Sequence, residues 1–527
     1  MDTSDAAFEA SVELDREGRP SRRHARGGEL AAQCSKGGID VAASRDRSPE
    51  EHAEPDEASP LLPPTGDRKP SYAVAADDFS HLPWYKRPHI VWILGPFLLM
   101  TLAFGGSLAP KINLILDLVC RQYISERSIA DPSFTMTPVD FFNGGGNDQC
   151  RIPEVQSRVA IFTLWGSLLG GIFSALTAPK LGALSDRYGR KPILIFTSIG
   201  TIMAEIITII AASYPETFPV DLLLVGFALD GLFGSFIVAM AIANSYATDC
   251  TPPQLRNVAF GYFHGCLFSG LAIGPIIAGY LVKFTGKIVI VFYVLLAVHL
   301  FFIFFIAFAV PESLSKPRQT AARHRHEAEL QKLGPSSDWI SWVRHLNLLE
   351  PLKILYPTGP HSSQALRRNL LVLAAVDTIS FGVAMGSMTM VIIYTNYAFG
   401  WRTFESSRFM SIVNASRVFC LVVVLPLMTR LVRGKVDRTQ KNTGCDKFDM
   451  TVIRLAMAFD TLGYLGYTLS RSPDVFILSG VVAAMGGIGS PTLQSALTKH
   501  VPAEQTGQLL GASGLLHALA RVVAPTV

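Results

Sequence analysis

The chain has 527 residues, 49% of them apolar and 17% charged, with a formal net charge of +4 and a mean hydropathy of +0.32. So small a net charge over so long a chain leaves no basic footprint for nucleic acid, and the apolar excess points to a membrane protein. No nucleotide-binding loop and no catalytic triad stands out, so nothing supports an enzyme.

Residues 1–85 are polar, rich in Ala, Ser, Pro, Arg and Glu, and lack sustained periodicity, which is the composition of a disordered tail. Within them Glu57-Ala58-Ser59-Pro60-Leu61-Leu62 fits the acidic dileucine pattern read by eukaryotic sorting adaptors. An adaptor there would favour a vacuolar or endosomal membrane over the plasma membrane, although so short a pattern also arises by chance.

After His89 apolar runs alternate with short polar loops. A bilayer needs about 20 residues per helix, and spans are expected near 89–118, 157–180, 193–213, 220–248, 257–282, 287–310, 368–396, 405–431, 451–470 and 473–499, with an eleventh beginning near 507. The first run starts too late for a signal peptide, so the first span is expected to act as the insertion signal.

Positive charge sets the orientation. Arg187, Arg190, Lys191, Lys316, Arg318, Arg323, Arg325, Arg367, Arg368, Arg430, Arg433, Lys435, Arg438 and Lys441 fall on one side, whereas Tyr214 to Pro219 carries no positive charge. This predicts a multi-pass protein with a cytoplasmic N-terminus. The domains read as a tail (1–85), an N-terminal six-helix bundle (86–310), a cytoplasmic central loop (311–366) and an incomplete C-terminal bundle (367–527). Within the central loop, Trp339 to Leu355 reads either as an amphipathic helix on the membrane surface or as a plain tether.

The segment after the first span holds Cys120, Cys150 and the flexible run Gly144-Gly145-Gly146. Of the seven cysteines only these two fall together in a non-cytoplasmic loop, where an oxidising compartment favours a disulfide. The cysteine spacing makes no metal site, and Asn414-Ala415-Ser416 lies inside a span where glycosylation cannot reach it.

Between the second and third spans stands Gly182-Ala183-Leu184-Ser185-Asp186-Arg187-Tyr188-Gly189-Arg190-Lys191-Pro192. Glycines permit a tight turn and close helix approach, Asp186 suits a helix N-terminus, and the basic residues can pair with acids in one conformation and release them in another. In the fifth span Gly261, Gly270, Gly274, Pro275, Ala278 and Gly279 form a stripe of small residues around a proline. Such a stripe lets helices pack closely, and Pro275 frees a carbonyl and favours a kink.

The chain repeats itself at an offset of 250: Ser245 aligns with Ser495, Thr248 with Thr498, Pro252 with Pro502, Gly261 with Gly511 and Pro275 with Pro525. Two parallel halves related by duplication follow. Val527 then aligns with Ile277, so the sequence is expected to stop partway through its eleventh helix.

Charges inside the spans are functional candidates by default. Asp230 lies about ten residues into the fourth span, where it can bind and release a proton; a structural acid bonded between helices is the alternative. Asp377 has the same two readings. Glu205 and Asp460 read as structural or peripheral, and His264 and His299 as packing histidines. Arg417 is expected to pair with Asp460 or Asp377, since a buried pair costs less than a lone charge.

The segment from Gly182 to Lys191 resembles the loop signature of the major facilitator superfamily, Gly-x-Leu-Ser-Asp-Arg-x-Gly-Arg-Lys. The fifth-span stripe resembles the antiporter motif of proton-coupled drug exporters, with Ala278 in place of one glycine. From His81-Leu82-Pro83-Trp84-Tyr85-Lys86-Arg87-Pro88 onward the chain is similar to a group of fungal members near the tetracycline-exporter and proton-coupled folate transporter branches. The resemblance covers residues 80–527. It implies an all-α membrane protein with the major facilitator fold of two six-helix bundles, here truncated in the eleventh helix, working by alternating access.

It implies further that spans one, four, seven and ten line the cavity. Asp230, Asp377, Arg417, Lys111 and Asn113 are then the proton or substrate candidates. Exporters of this kind often place an Arg four residues before a Gly in the fourth span; here Asp230 precedes Gly234, which puts the usual Arg chemistry in doubt. Asp249 is expected to meet Arg187 or Arg190, with Arg256 as a further member, and Asp186 to face the start of the eleventh span. Gly182, Asp186, Arg187, Gly189, Arg190 and Asp249 would then lock the cytoplasmic side in an outward-open state.

The expected function is proton-coupled export of a small organic solute, with the proton as coupling ion and no other cofactor. Proton-linked import or vacuolar efflux of an organic anion or folate-like nutrient is the alternative. A transporter-like receptor or an inactive truncated product is a third reading. The expected surroundings are the lipid bilayer and a small-molecule substrate, the chain acting as a monomer.

Overall fold

The computed structural model describes residues 79, 81–130, 150, 152–333, 351–358, 363–401, 403–434 and 444–524. The tail with Glu57–Leu62, the glycine run 144–146, residues 339–350, Lys435, Arg438, Lys441, Pro525 and Val527 lie outside the described residues.

Helices carry the first six spans as α1 (Val91–Ala130), α2 (Pro153–Tyr188), α3 (Arg190–Ser213), α4 (Leu222–Leu232) with α5 (Ser235–Cys250), α6 (Arg256–Thr285) and α7 (Val289–Phe308). After α8 (Lys316–Leu333), the remaining spans are α9 (Gln364–Phe399), α10 (Thr403–Phe419) with α11 (Leu425–Arg433), α12 (Lys447–Leu469), α13 (Pro473–Gly486) with α14 (Gly489–Thr498), and α15 (Thr506–Val523). Among the described residues there are no strands. Among the described residues, nine spans are long and apolar enough to cross a membrane. Of the other two, α12 is broken up by Lys447, Asp449, Arg454 and Asp460, and α15 is rich in small and polar residues.

Three elements differ from the expectation. The first helix runs to Ala130, beyond the expected end near 118, because Asp117–Arg121 (2.8 Å) and Gln122–Glu126 (3.2 Å) contacts one turn apart support its polar extension. The central segment opens with α8, a helix that apolar periodicity could not reveal because α8 is mostly polar. The fourth span is two helices, with Gly234 and Ser235 at positive φ between them. Two carbonyls at that break accept hydroxyls of α2 in addition to backbone amides: Thr177 donates to Gly231 and Ser174 to Gly234, each at 3.1 Å, beside the amides of Gly234 and Val238. In a bilayer those groups have no water to turn to.

The ends of the spans fall into two levels. One carries the 182–192 turn and is called the motif end. The other carries Cys120 and Cys150, which are joined as a disulfide with Cα atoms 5.5 Å apart. Within the first half α1 and α6 cross closely, the backbone of Gly105 against Gly270 and that of Gly106 against Gly274. Between the halves α2 meets α15, where Gly182 lies on the backbone of Gly507 and Gly511 and a methyl group at any of the three would overlap its neighbour.

Candidate functional site

The motif end holds one buried ionic cluster. Gly189 ends α2 with φ +102 and lies so near Glu312 that a side chain there would strike its carboxylate. That turn brings Arg190 back over the end of its own loop. Its guanidinium, fully buried, donates to Asp186 at 2.6 Å, Ser185 at 2.6 Å and Asp249 at 3.0 Å. Asp249 also accepts from the Ser313 hydroxyl at 3.0 Å, and Arg318 stands 3.6 Å away. Asp249 therefore pairs with Arg190 and not with Arg187, whose carbonyl accepts from Arg323 at 3.2 Å. Arg256 is fully buried at the start of α6.

Glu312 was not singled out by sequence. Its carboxylate accepts the amides of Arg190 (2.9 Å) and Lys191 (3.1 Å), capping α3, and those of Ser313 and Leu314. Burial holds the Glu312 carboxyl above its ordinary range, against the opposing pull of the amides.

Asp186 links the halves. While held by Arg190 it accepts the amides of Gly507 at 3.1 Å and Gln508 at 2.8 Å, at the N-terminus of α15. Those amides have no intrahelical acceptor, and the helix dipole favours an anion there.

The second half repeats this cluster with the charges reversed. Asp186, Arg190 and Asp249 stand at the ends of α2, α3 and α5; Arg433, Asp449 and Lys499 stand at the corresponding ends of α11, α12 and α14. Arg433 donates to Asp449 at 2.8 Å and Asp446 at 3.0 Å, and Lys499 bonds Asp449. Arg433 also donates to the carbonyl of Gln254, ahead of α6, as Asp186 accepts from the first turn of α15. The 250-residue offset places Lys499 on Asp249, and that was the available signal.

Toward the middle of the spans the candidates separate. Asp230 sits at the last turn of α4, just before the break, and accepts from Thr201 at 3.0 Å; His299 lies within its electrostatic reach. Lys111 pairs with buried Glu205 at 3.3 Å and lies 5.1 Å from the Phe227 ring, while Asn113 is exposed on α1. Asp377 does not pair with Arg417. Its partner is His517 on α15 at 2.9 Å, a residue sequence reasoning passed over because it lies 140 positions away. Arg417 lies 5.0 Å from the Phe268 ring on α6 and within electrostatic reach of Asp460, and its Nε has no hydrogen-bond partner among the described residues. Arg417 and Asp460 abut adjacent residues, Gly487 and Gly486.

Of the fifth-span stripe, Gly270 and Gly274 pack on α1, Gly261 faces Leu421 and Leu425 of the second half, and Gly279 faces open space. Helix α6 continues through Pro275.

Residues 156–525 match the family model described as Major Facilitator Superfamily. The chain is 31% identical over 483 residues to the MFS-type transporter avaJ of Aspergillus versicolor, covering 90% of this chain and 88% of that protein. It is 23% identical to an uncharacterized membrane protein of Saccharomyces cerevisiae, covering 84% and 79%. Its fold is similar to that of the human organic anion transporter MFSD10, with a TM-score of 0.61 at 18% identity over 84% of this chain and 93% of that one. The proton:xylose symporter XylE is similar at a TM-score of 0.51 and 16% identity, covering 84% and 88%.

Proposed function

The chain belongs to the major facilitator superfamily and is a multi-pass membrane transporter, not an enzyme; on that premise we propose that it exports a small amphipathic organic solute in exchange for protons. The motif end is read as cytoplasmic because Arg187, Arg190, Lys191, Lys316, Arg318 and Arg323 gather there. With that end closed, we read this state as the one that faces away from the cytoplasm.

The single observation that carries this reading is the double engagement of Asp186, with Arg190 in its own half and with the α15 amides of the other. Opening the cytoplasmic side costs the second engagement and leaves the first, so the contact is a latch that favours one of two arrangements. Asp230, beside the break in the fourth span, is the acid we assign to proton exchange.

A second reading is favoured by Arg417. A guanidinium over an aromatic ring with an unpartnered Nε suits an organic anion, and import or vacuolar efflux of such an anion with protons would use it.

The test is flux in proteoliposomes containing the full chain under an imposed pH gradient, with ethidium and fluorescein as probes. Proton-driven ethidium movement that Asp230→Asn abolishes is the expected result. Fluorescein moving with protons would favour the second reading, and movement of either probe that ignores the gradient would rule out proton coupling.

A further inference from the structure

The Asp377–His517 pair has the parts of a proton-binding site in a different place from Asp230. Its 2.9 Å contact joins α9 to α15, and the side chains are 2% and 9% exposed. The other carboxylate oxygen of Asp377 is buried with no hydrogen-bond partner among the described residues. On one side the Phe381 ring stacks on the imidazole with centroids 4.4 Å apart. On another, His517 lines a cavity of about 30 Å³ between the halves, room enough for water. Its polar lining is Gln494, Ser513 and His517, and its opposite wall is Ile237, Met240 and Ala241 of α5. The Ser513 hydroxyl is also buried without a partner. Along their helices the two residues lie about 17–20 Å from the motif end, close to the midplane.

We propose that Asp377 and His517 form a second proton-binding site, buried between the two halves in this state and opened to the motif-end compartment when the halves part. This rests on the proton-coupled reading above: beside the proton exchanged at Asp230 it adds a site that answers to the pH of the motif-end compartment. Histidine is the side chain whose charge changes between about pH 5 and 8. With the imidazolium present, the pair is neutral and tolerates burial. Loss of that proton from the ring to water leaves a buried carboxylate facing a neutral imidazole, and a buried acid without a counter-charge is costly. Deprotonation therefore favours the arrangement that admits water, and protonation favours the one seen here.

Few other charges bear on the pair. His264 of α6 is within electrostatic reach of both members. Arg521, one turn along α15, is exposed, as is Lys353 in the turn that packs on α9 and α15. The nearby faces of α5 and α14 present Met240 and Gln494, neither charged.

The experiment places spin labels at Tyr188→Cys and Gln505→Cys, both exposed at the motif end on opposite halves. The free cysteines are replaced, the full chain is reconstituted, and the distance distribution is followed from about pH 5 to pH 8. The longer distance is expected to grow with pH in the parent protein. The transition should be lost in His517→Gln and Asp377→Asn and kept in Asp377→Glu. Variants that keep the parent midpoint would overturn the site and leave proton coupling standing. No pH response in the parent would overturn both. Against the chance that the variants misfold, histidine-selective NMR of the parent chain reads the His517 ring directly. A ring with one protonation state across that range overturns the proposal.

Discussion

Asn244 donates to the side-chain carbonyl of Gln494 at 2.8 Å, and the two stand 250 positions apart, the offset at which the sequence repeats. Each residue is thus bonded to its own counterpart in the other half. Only positions beside the axis that relates the halves can do this, so the pair marks that axis between α5 and α14.

Both side chains are buried, so cutting one leaves the other unsatisfied. Asn244→Leu is expected to cost about 1–3 kcal/mol, because an orphaned buried amide loses its partner without regaining water. The double variant Asn244→Leu/Gln494→Leu is expected to recover most of that. Thermal midpoints in detergent measure both, and a double variant no more stable than the single one would refute the pairing argument.

Asp186→Asn keeps the shape and removes the charge that caps α15. The closed arrangement is expected to weaken by about 1–2 kcal/mol, roughly a tenfold rise in opening. A cysteine at Ser513, buried between the halves, would then be alkylated about tenfold faster. An unchanged rate would show that the cap does not hold the halves together.

Lys499→Asp sets three carboxylates against Arg433 alone. A loss of about 3–5 kcal/mol is expected, as for a broken buried pair, with little monodisperse protein recovered. Adding Asp449→Lys restores a pair of opposite charges and is expected to restore part of the yield. Failure of that rescue would mean that packing, and not charge, governs the cluster.

His500 lies just past α14, and burial is the largest influence on its ring, holding it below its ordinary value of 6.5 while the Ala496 carbonyl opposes the shift. The folded state prefers the neutral imidazole. Its contribution is therefore fully present above that ordinary value and is lost as pH falls toward the depressed one. The thermal midpoint is expected to drop between about pH 7 and pH 5, and less steeply in His500→Asn. Equal slopes in the two proteins would remove His500 from the acid response.

The spans were legible because apolar length announces them, and the turn at Gly182–Lys191 because its residue types demand close packing and a helix cap. Distance along the chain hid the rest. Asp377 was visible as a buried acid, but nothing local points to His517. Glu312 looked like a loop residue, since its four amide partners arise only when the turn folds back on α3. The break at Gly234 was masked by apolar residues on both sides, which kept the hydropathy high while the backbone changed course. Of the two acids expected for Arg417, Asp377 went to His517, while Asp460 stays within electrostatic reach of the guanidinium, which also lies by an aromatic face of the opposite half.

The reversed charges at the two motif-end clusters also restrict how such a protein can change over time. If the halves arose from one ancestral segment, the acid–base–acid order at Asp186, Arg190 and Asp249 and the base–acid–base order at Arg433, Asp449 and Lys499 had a common starting point. Replacing these residues one at a time passes through a buried charge without its partner, at about 3–5 kcal/mol per step. A drift between the two patterns therefore needs paired substitutions. Each half is held to its own polarity, and a gene conversion that copied only part of one cluster over the other would set like charges side by side.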